Sequence, residues 1–276
     1  MALQANAAWK KQSACVLVPD FREYSTMDFS FLCMDDIDHT HVAGCFGKAG
    51  VSHTYLDTLL NAFLNTALLS ISSLILAIIV GVIIGTMRTL PRTSLFNRIL
   101  RAIARIWVEI TRNIPLLVQI FLWYFVVPKI YPPAMGFPPM ILVICALGFF
   151  TSARIAEQVR SGIEAIPTGQ RYASMAMGFT TYQTYRYVIL PRAMRTILPP
   201  LISESMGIVK NSAVAFAVSI HELMQFQFQA IEEVSHVYEN YMVVTVLYVI
   251  ISLVIFVVMS IIERTVKIPG FQTEGR

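Results

Sequence analysis

Long uncharged apolar runs, rather than alternating polar and apolar positions, organise this chain. Residues 59–87 and 240–262 contain no Asp, Glu, Lys or Arg, and each exceeds the roughly 20 residues that a helix needs to cross a hydrocarbon core. Tyr241 and Tyr248 stand in the second run as candidate interface anchors. A third run, 140–153, begins behind the Pro132-Pro133 and Pro138-Pro139 pairs and continues through Arg154 and Glu157 to residue 163. Those prolines suit a helix start, where a missing N–H costs little. Two further runs are interrupted by charge: 106–127 carries Glu109 and Arg112, and 197–220 carries Glu204 and Lys210. The pattern predicts five membrane helices, some with a protein-lined interior face.

Composition agrees, since 56% of the 276 residues are hydrophobic and 14% charged, against about 25% charged in soluble domains. Plentiful Leu, Ile, Val and Phe argue against disorder, four cysteines against a disulfide-rich secreted scaffold, and a net charge of +4 against a nucleic-acid partner. The basic residues set a sidedness, because short loops rich in Lys and Arg stay in the cytoplasm. Arg88, Arg92, Arg98, Arg101 and Arg105 crowd the first connection, and Arg160, Arg171, Arg186, Arg192 and Arg195 the third. The second connection holds only Lys129, and the fourth holds Glu222, Glu232, Glu233 and Glu239. The expected topology has the N-terminus outside and the tail with Arg264, Lys267 and Arg276 inside. Residues 1–54 are then an extracytoplasmic segment, in which Met27, opening MDFSFL, is a candidate natural start that would leave 1–26 outside the native chain.

Candidate chemistry is sparse. Cys33, His39, His41 and Cys45, with Asp35, Asp36 and Asp38, are capable metal ligands, but their spacing matches no recurrent zinc pattern and a Cys33–Cys45 disulfide is an equal alternative. No Ser/His/Asp constellation, phosphate loop or HExxH motif occurs. His221, next to Glu222 at a span end, reads as a solvated histidine. The charges inside spans carry more information, because a charge within the membrane is expensive and is paired or faces a cavity. Arg154 and Glu157 stand three apart on one helix and have two readings: mutual neutralisation, or an Arg154 that faces a cavity and attracts an anionic solute. Lys210, followed by Asn211, has the same two readings.

The third connection, IPTGQRYASMAMGFTTYQTYRYVILPRAMRTILPPL, is punctuated by Pro167, Gly169, Gly178, Pro191, Pro199 and Pro200. It is expected to carry its own short helix, with Gly178 supplying the turn after it. Here the sequence resembles the membrane subunits of bacterial ABC importers, whose cytoplasmic signature is Glu-Ala-Ala, three residues, Gly, nine residues, an aliphatic residue, any residue and Leu-Pro. Tyr172, Ala173 and Ser174 take the triplet positions, followed by Gly178, Val188, Leu190 and Pro191 at the same spacings. Tyr172 departs from the family's Glu and removes the salt bridge that Glu would offer an ATPase.

Further blocks sharpen the likeness toward the polar amino-acid permeases: RNIPLLVQIFLWYFVVP (112–128), ARIAEQVRSGIEAIPTGQ (153–170), IVKNSAVA (208–215) and ERTVKIPG (263–270). FTSARIAEQVR, AMGFTTYQTYRYVILP, PPLISESM and IVKNSA are similar to the glutamate/aspartate import permeases, and Arg154 stands where permeases for neutral and basic amino acids commonly have Tyr. The resemblance implies an all-α polytopic protein with the type I ABC importer fold: a transmembrane domain over 55–270, a cytoplasmic tail at 271–276 and a coupling helix involving Tyr172, Ala173, Ser174, Gly178 and Phe179. It implies a multi-pass protein of the bacterial inner membrane, with no cofactor and no catalysis of its own. The implied partners are a cytoplasmic ABC ATPase dimer, a second permease subunit (paralogue or self), a periplasmic amino-acid-binding protein, membrane lipid and the amino acid itself. Arg154, Glu157, Lys210 and Asn211 are the candidate substrate-path residues. Another polar amino acid such as glutamine, a membrane metalloenzyme built on the Cys/His segment, and a passive anion channel are the competing functions.

Overall fold

The computed structural model describes residues 29–36, 42, 45, 54–92, 94–234 and 236–266. It is helical throughout these residues apart from turns and one isolated bridge between Asp35 and Thr54. Helix α1 is Tyr55–Thr89, and α2, Leu95–Asn113, is followed by α3 over Leu116–Ile130. Helix α4 is Pro139–Glu164, α5 is Thr168–Ala176, α6 runs Thr181–Val218, α7 is Leu223–Val234 and α8 is Val237–Val266. Four helices are long and apolar enough to cross a membrane, or five if α2 and α3 count as one bent span.

Helix α1 starts on a reciprocal cap. The Thr54 hydroxyl accepts from the Asp57 amide at 3.3 Å, and the Asp57 carboxylate accepts from the Thr54 amide at 3.4 Å, satisfying orphan donors at the helix end. The helix sorts its side chains by size. Small or polar residues such as Ala62, Thr66, Ser70, Ser73, Ala77, Gly81 and Gly85 are buried, while Leu64, Leu68, Ile75, Ile79 and Ile83 are exposed. That arrangement suits lipid, which is as apolar as Leu, so close packing of small residues holds helices together. A Cβ on Gly81 would lie 2.7 Å from the Ile155 side chain, and one on Gly85 would lie 2.6 Å from that of Val159. The register advances equally along both chains, so α1 and α4 run in the same direction. Helix α6 runs against α4, because Gly162 meets Ile197 while Gln158, one turn earlier, meets Glu204.

The expected span at 106–127 is not one straight helix. The chain bends by 108° between α2 and α3, at Ile114 and Pro115, where proline cannot donate to the preceding turn and restricts the residue before it. The Gln119 amide donates to the Thr111 carbonyl at 2.7 Å and to that of Ile114 at 3.0 Å, satisfying acceptors the bend leaves open. Phe149 of α4 braces the corner between Trp107 and Trp123, with ring centroids 5.3 and 5.1 Å away.

The expected span at 197–220 also shifts, whereas that at 240–262 lies within α8. Helix α6 begins at Thr181, well before residue 197, so Pro191, Pro199 and Pro200 lie within it and the exposed third connection shrinks to 165–180. Wide π turns at Leu122–Val126 and Tyr185–Ile189 precede Pro128 and Pro191. Each relieves the clash between a proline ring and the carbonyl four residues back. Beyond α6, Ser219 adopts a left-handed φ of 55° and the chain enters α7, a helix that the charge pattern did not reveal.

The described residues of the N-terminal segment pack on the ends of these helices. Cys33 and Cys45 form a disulfide, which decides between the two alternatives open for those cysteines, while His39, His41 and Asp38 lie outside the described residues. Phe31 is buried and stacks on His236, with ring centroids 5.4 Å apart. The Tyr55 hydroxyl donates to Glu233 at 2.6 Å, tying the start of α1 to the end of α7.

Candidate functional site: a charged seam and an exposed loop helix

The charges within the spans form two clusters, and neither is the pair expected from spacing. Arg154 and Glu157 do not pair with each other. Helix α4 presents them to different neighbours, and each finds a stronger partner off its own helix.

Glu157 faces the α1 and α2 side. It accepts from Arg88 at 2.5 Å, from Arg160 at 2.9 Å and from Arg112 at 3.2 Å, and Arg160 also reaches Glu164 at 2.7 Å. One carboxylate thus joins α1, α2 and α4 where Arg88 ends the first span, and three guanidiniums against Glu157 and Glu164 leave positive charge in excess. Such a node holds because each ion has charge-assisted hydrogen bonds in place of water.

Arg154 faces α6. Its Nε lies 3.2 Å from Oε2 of Glu204, and Gln158 donates to Oε1 of the same carboxylate at 3.2 Å. The Glu204 side chain is 12% exposed and that of Arg154 48%, so the carboxylate anchors one edge of a guanidinium that is otherwise open. The Gln158 carbonyl oxygen is buried without a hydrogen-bond partner among the described residues. A cation, an anion and an amide acceptor therefore share one α4–α6 seam, a set complementary to a zwitterion. Glu204 and Gln158 were not among the residues expected to form a site. The only signal in the sequence was that a carboxylate isolated in an apolar span needs a partner from another helix.

Lys210 and Asn211 are not part of this seam. Lys210 is exposed and lines a cavity of about 460 Å³ between α6 and α8, with Met206, Tyr248 and Ser252, and Asn211 is half-buried. The four candidate path residues are thus distributed over three places in the fold.

The short helix of the third connection is α5, and it ends as expected. Phe179 N–H donates to the Ser174 carbonyl at 3.1 Å and Gly178 N–H to that of Met175 at 3.0 Å, around a Gly178 φ of 83°. This is the double-bonded left-handed C-cap that glycine favours. Tyr172, Ala173, Gly178 and Phe179 are exposed, whereas Ser174 is buried and its hydroxyl lies 3.1 Å from that of Thr184. Met175, Met177 and Tyr182 extend the exposed apolar surface. Arg171 donates to the Tyr185 hydroxyl at 2.9 Å, and that hydroxyl donates to the Thr89 carbonyl at 2.6 Å, connecting α5 to the end of α1.

Residues 77–268 match the family model described as the binding-protein-dependent transport system inner membrane component. The chain belongs to that family. It is 40% identical over 195 residues to the glutamate/aspartate import permease protein GltJ of Escherichia coli K12, covering 67% of this chain and 77% of that protein. It is 30% identical over 166 residues to the glutamine transport system permease protein GlnP of the same organism, covering 60% of this chain and 75% of GlnP. Among solved structures, an amino acid ABC transporter with histidines superposes with a TM-score of 0.64 at 26% identity, over 76% of this chain and 95% of that one. The MetNI methionine transporter in an inward-facing form, at 24% identity and a TM-score of 0.63 over 77% of this chain and 98% of that one, shares the fold. The family is one of ABC importer membrane components, so the chain is an amino-acid ABC transporter permease, a transport subunit with several membrane helices.

Proposed function

We propose that this permease carries acidic amino acids, glutamate and aspartate, inward across a bacterial inner membrane, driven by a separate cytoplasmic ATPase dimer. The observation that carries the reading is Arg154, held at one edge by Glu204 and open at the other. A guanidinium meets a carboxylate through two parallel hydrogen bonds, and in a low-dielectric passage that attraction far exceeds its value in water. The likeness to GltJ supports the same substrates, and the positive excess at the Glu157 node favours an anion in the passage.

Coupling is mechanical. The exposed face of α5, with Tyr172, Ala173, Gly178 and Phe179, docks on the ATPase while Ser174 and Arg171 fasten α5 to α6. Movement of the docked helix reaches the spans through Tyr185 and Thr89. A periplasmic binding protein delivers the solute, and a second permease subunit, a paralogue or another copy, completes the passage. The N-terminus and α7 lie outside, and α5 and the C-terminal tail inside.

One observation favours a second substrate. Glu204 neutralises Arg154, so the seam carries no net charge, which suits a polar neutral side chain such as that of glutamine. Reconstitution of the full importer and measurement of ATP-dependent uptake of labelled glutamate, aspartate and glutamine separates the two. Glutamate uptake that unlabelled glutamate, but not a hundredfold excess of glutamine, abolishes supports the acidic reading, and the reverse pattern replaces it.

A further inference from the structure

Glu222 stands apart from both charge clusters. It lies outside the spans, in the connection between α6 and α8, yet is 0% exposed. Its Oε1 accepts from the Gln225 amide at 3.0 Å, in the first turn of α7, and its Oε2 accepts from the Tyr248 hydroxyl of α8 at 2.7 Å. The adjoining backbone is fastened to α1: Asn65 donates to the His221 carbonyl at 2.8 Å, and Leu223 N–H donates to the Thr66 hydroxyl at 3.0 Å. A single carboxylate therefore ties α7 to α8 at a point where the chain has just turned through the left-handed Ser219.

Among the described residues no Lys, Arg or His nitrogen forms an ion pair with Glu222. Helix α8 faces it with Tyr248, α1 contributes the neutral Asn65 and Thr66 to its connection, and its own connection contributes His221, held by its carbonyl. Helix α6 brings Lys210 to the cavity that Tyr248 also lines. A carboxylate removed from water without a cation resists ionisation.

We propose that Glu222 is a positioning residue for the outer end of the passage: protonated, it keeps α7 seated against α8 through Tyr248, and ionised, it loosens that seat. Burial pushes its carboxyl up to about 7, the hydrogen bonds from Met224, Tyr248 and Gln225 offsetting only part of that effect. Between the ordinary carboxylate range and about 7, the packed arrangement holds more protons than one in which Glu222 meets water, so raising pH through that window favours opening and lowering it favours closure. The gap between the ordinary value of 4.5 and about 7 corresponds to up to about three hundredfold in the opening equilibrium. The inference rests on the import reading only for its consequence, that acid outside slows the loading step.

The test uses the full chain in membranes, carrying Cys15→Ala and Cys145→Ala, with Ser212→Cys as reporter. Ser212 is 1% exposed and stands beside Tyr248, its hydroxyl donating to the Val209 carbonyl at 2.7 Å. Its alkylation by a membrane-impermeant maleimide is compared between chains with Glu222 and with Glu222→Gln, the neutral isostere, at each pH, so the reagent's own pH dependence cancels. The ratio is expected to be smallest at about pH 5.5 and to rise at least about fivefold by about pH 8; a ratio that stays flat overturns the proposal. Should Glu222→Gln fail to insert, Tyr248→Phe serves instead. It removes the hydroxyl through which Glu222 holds α8 and should raise alkylation already at the lower pH, and no change at either pH is equally fatal. Neither measurement needs ATPase or binding protein, so a flat ratio leaves the import reading standing, and failed uptake beside a rising ratio leaves the latch standing.

Discussion

Arg154 is paired with Glu204 across two helices, at 3.2 Å, and not with Glu157 three residues along its own helix. The partner's burial makes the pair asymmetric: Glu204 depends on Arg154 more than Arg154 depends on Glu204, since the carboxylate is 12% exposed and the guanidinium 48%. Arg154→Gln should therefore lower the amount of inserted subunit through a cost of about 1–3 kcal/mol, below that of breaking a fully buried pair because solvent reaches the guanidinium. Adding Glu204→Gln should restore abundance. If restored protein also regains glutamate uptake, as read by immunoblot and labelled solute, the pair is a tie between helices and Arg154 does not touch the substrate.

The Glu157 node predicts an unequal response from its members. Glu157→Gln leaves Arg88, whose side chain is 11% exposed, without its carboxylate, and an unpaired buried charge costs about 3–5 kcal/mol. Arg112→Gln should be mild, because that side chain is 52% exposed and two arginines still hold Glu157. Thermal unfolding of the purified subunit in detergent checks the order, and equal losses would contradict the hierarchy drawn from burial.

Gly178 separates backbone from contact. Nothing lies within 4 Å of where its Cβ would be, yet its φ is 83°, so within this chain a side chain meets strain of about 1–2 kcal/mol and no clash. Asn tolerates the left-handed region far better than Val. Gly178→Asn should retain coupling of ATP hydrolysis to uptake and Gly178→Val should lose it. Loss in both, with normal insertion, would place the sensitive feature in the ATPase contact instead of the C-cap.

Sidedness is open to a reporter that works only outside the cytoplasm. Fused near Pro133 or Glu233 it should be active, and near Arg98, Thr181 or Gln272 silent, from the distribution of basic residues between connections. Activity at Thr181 would reverse the topology and detach α5 from any cytoplasmic ATPase.

What the sequence determined by itself were the features that local chemistry decides. Apolar runs around 59–87, 140–163 and 240–262 became α1, α4 and α8, because a backbone in hydrocarbon must satisfy its own hydrogen bonds and a helix does so within one segment. Gly178 marked the end of α5, because a left-handed turn has few other occupants. Pro115 was not read as a break in the expected span at 106–127, and only the fold turned it into a 108° corner, since the bend needs Gln119 to cap the broken turn and Phe149 to fill it. The partners of Arg154, Glu157 and Glu222 were left to the tertiary structure. Spacing along a helix states which residues share a face, but a charge pairs with whichever opposite charge or donor the packing of other helices brings within reach, and for Arg154 that was Glu204 on α6, for Glu157 the arginines of three helices, and for Glu222 no cation among the described residues.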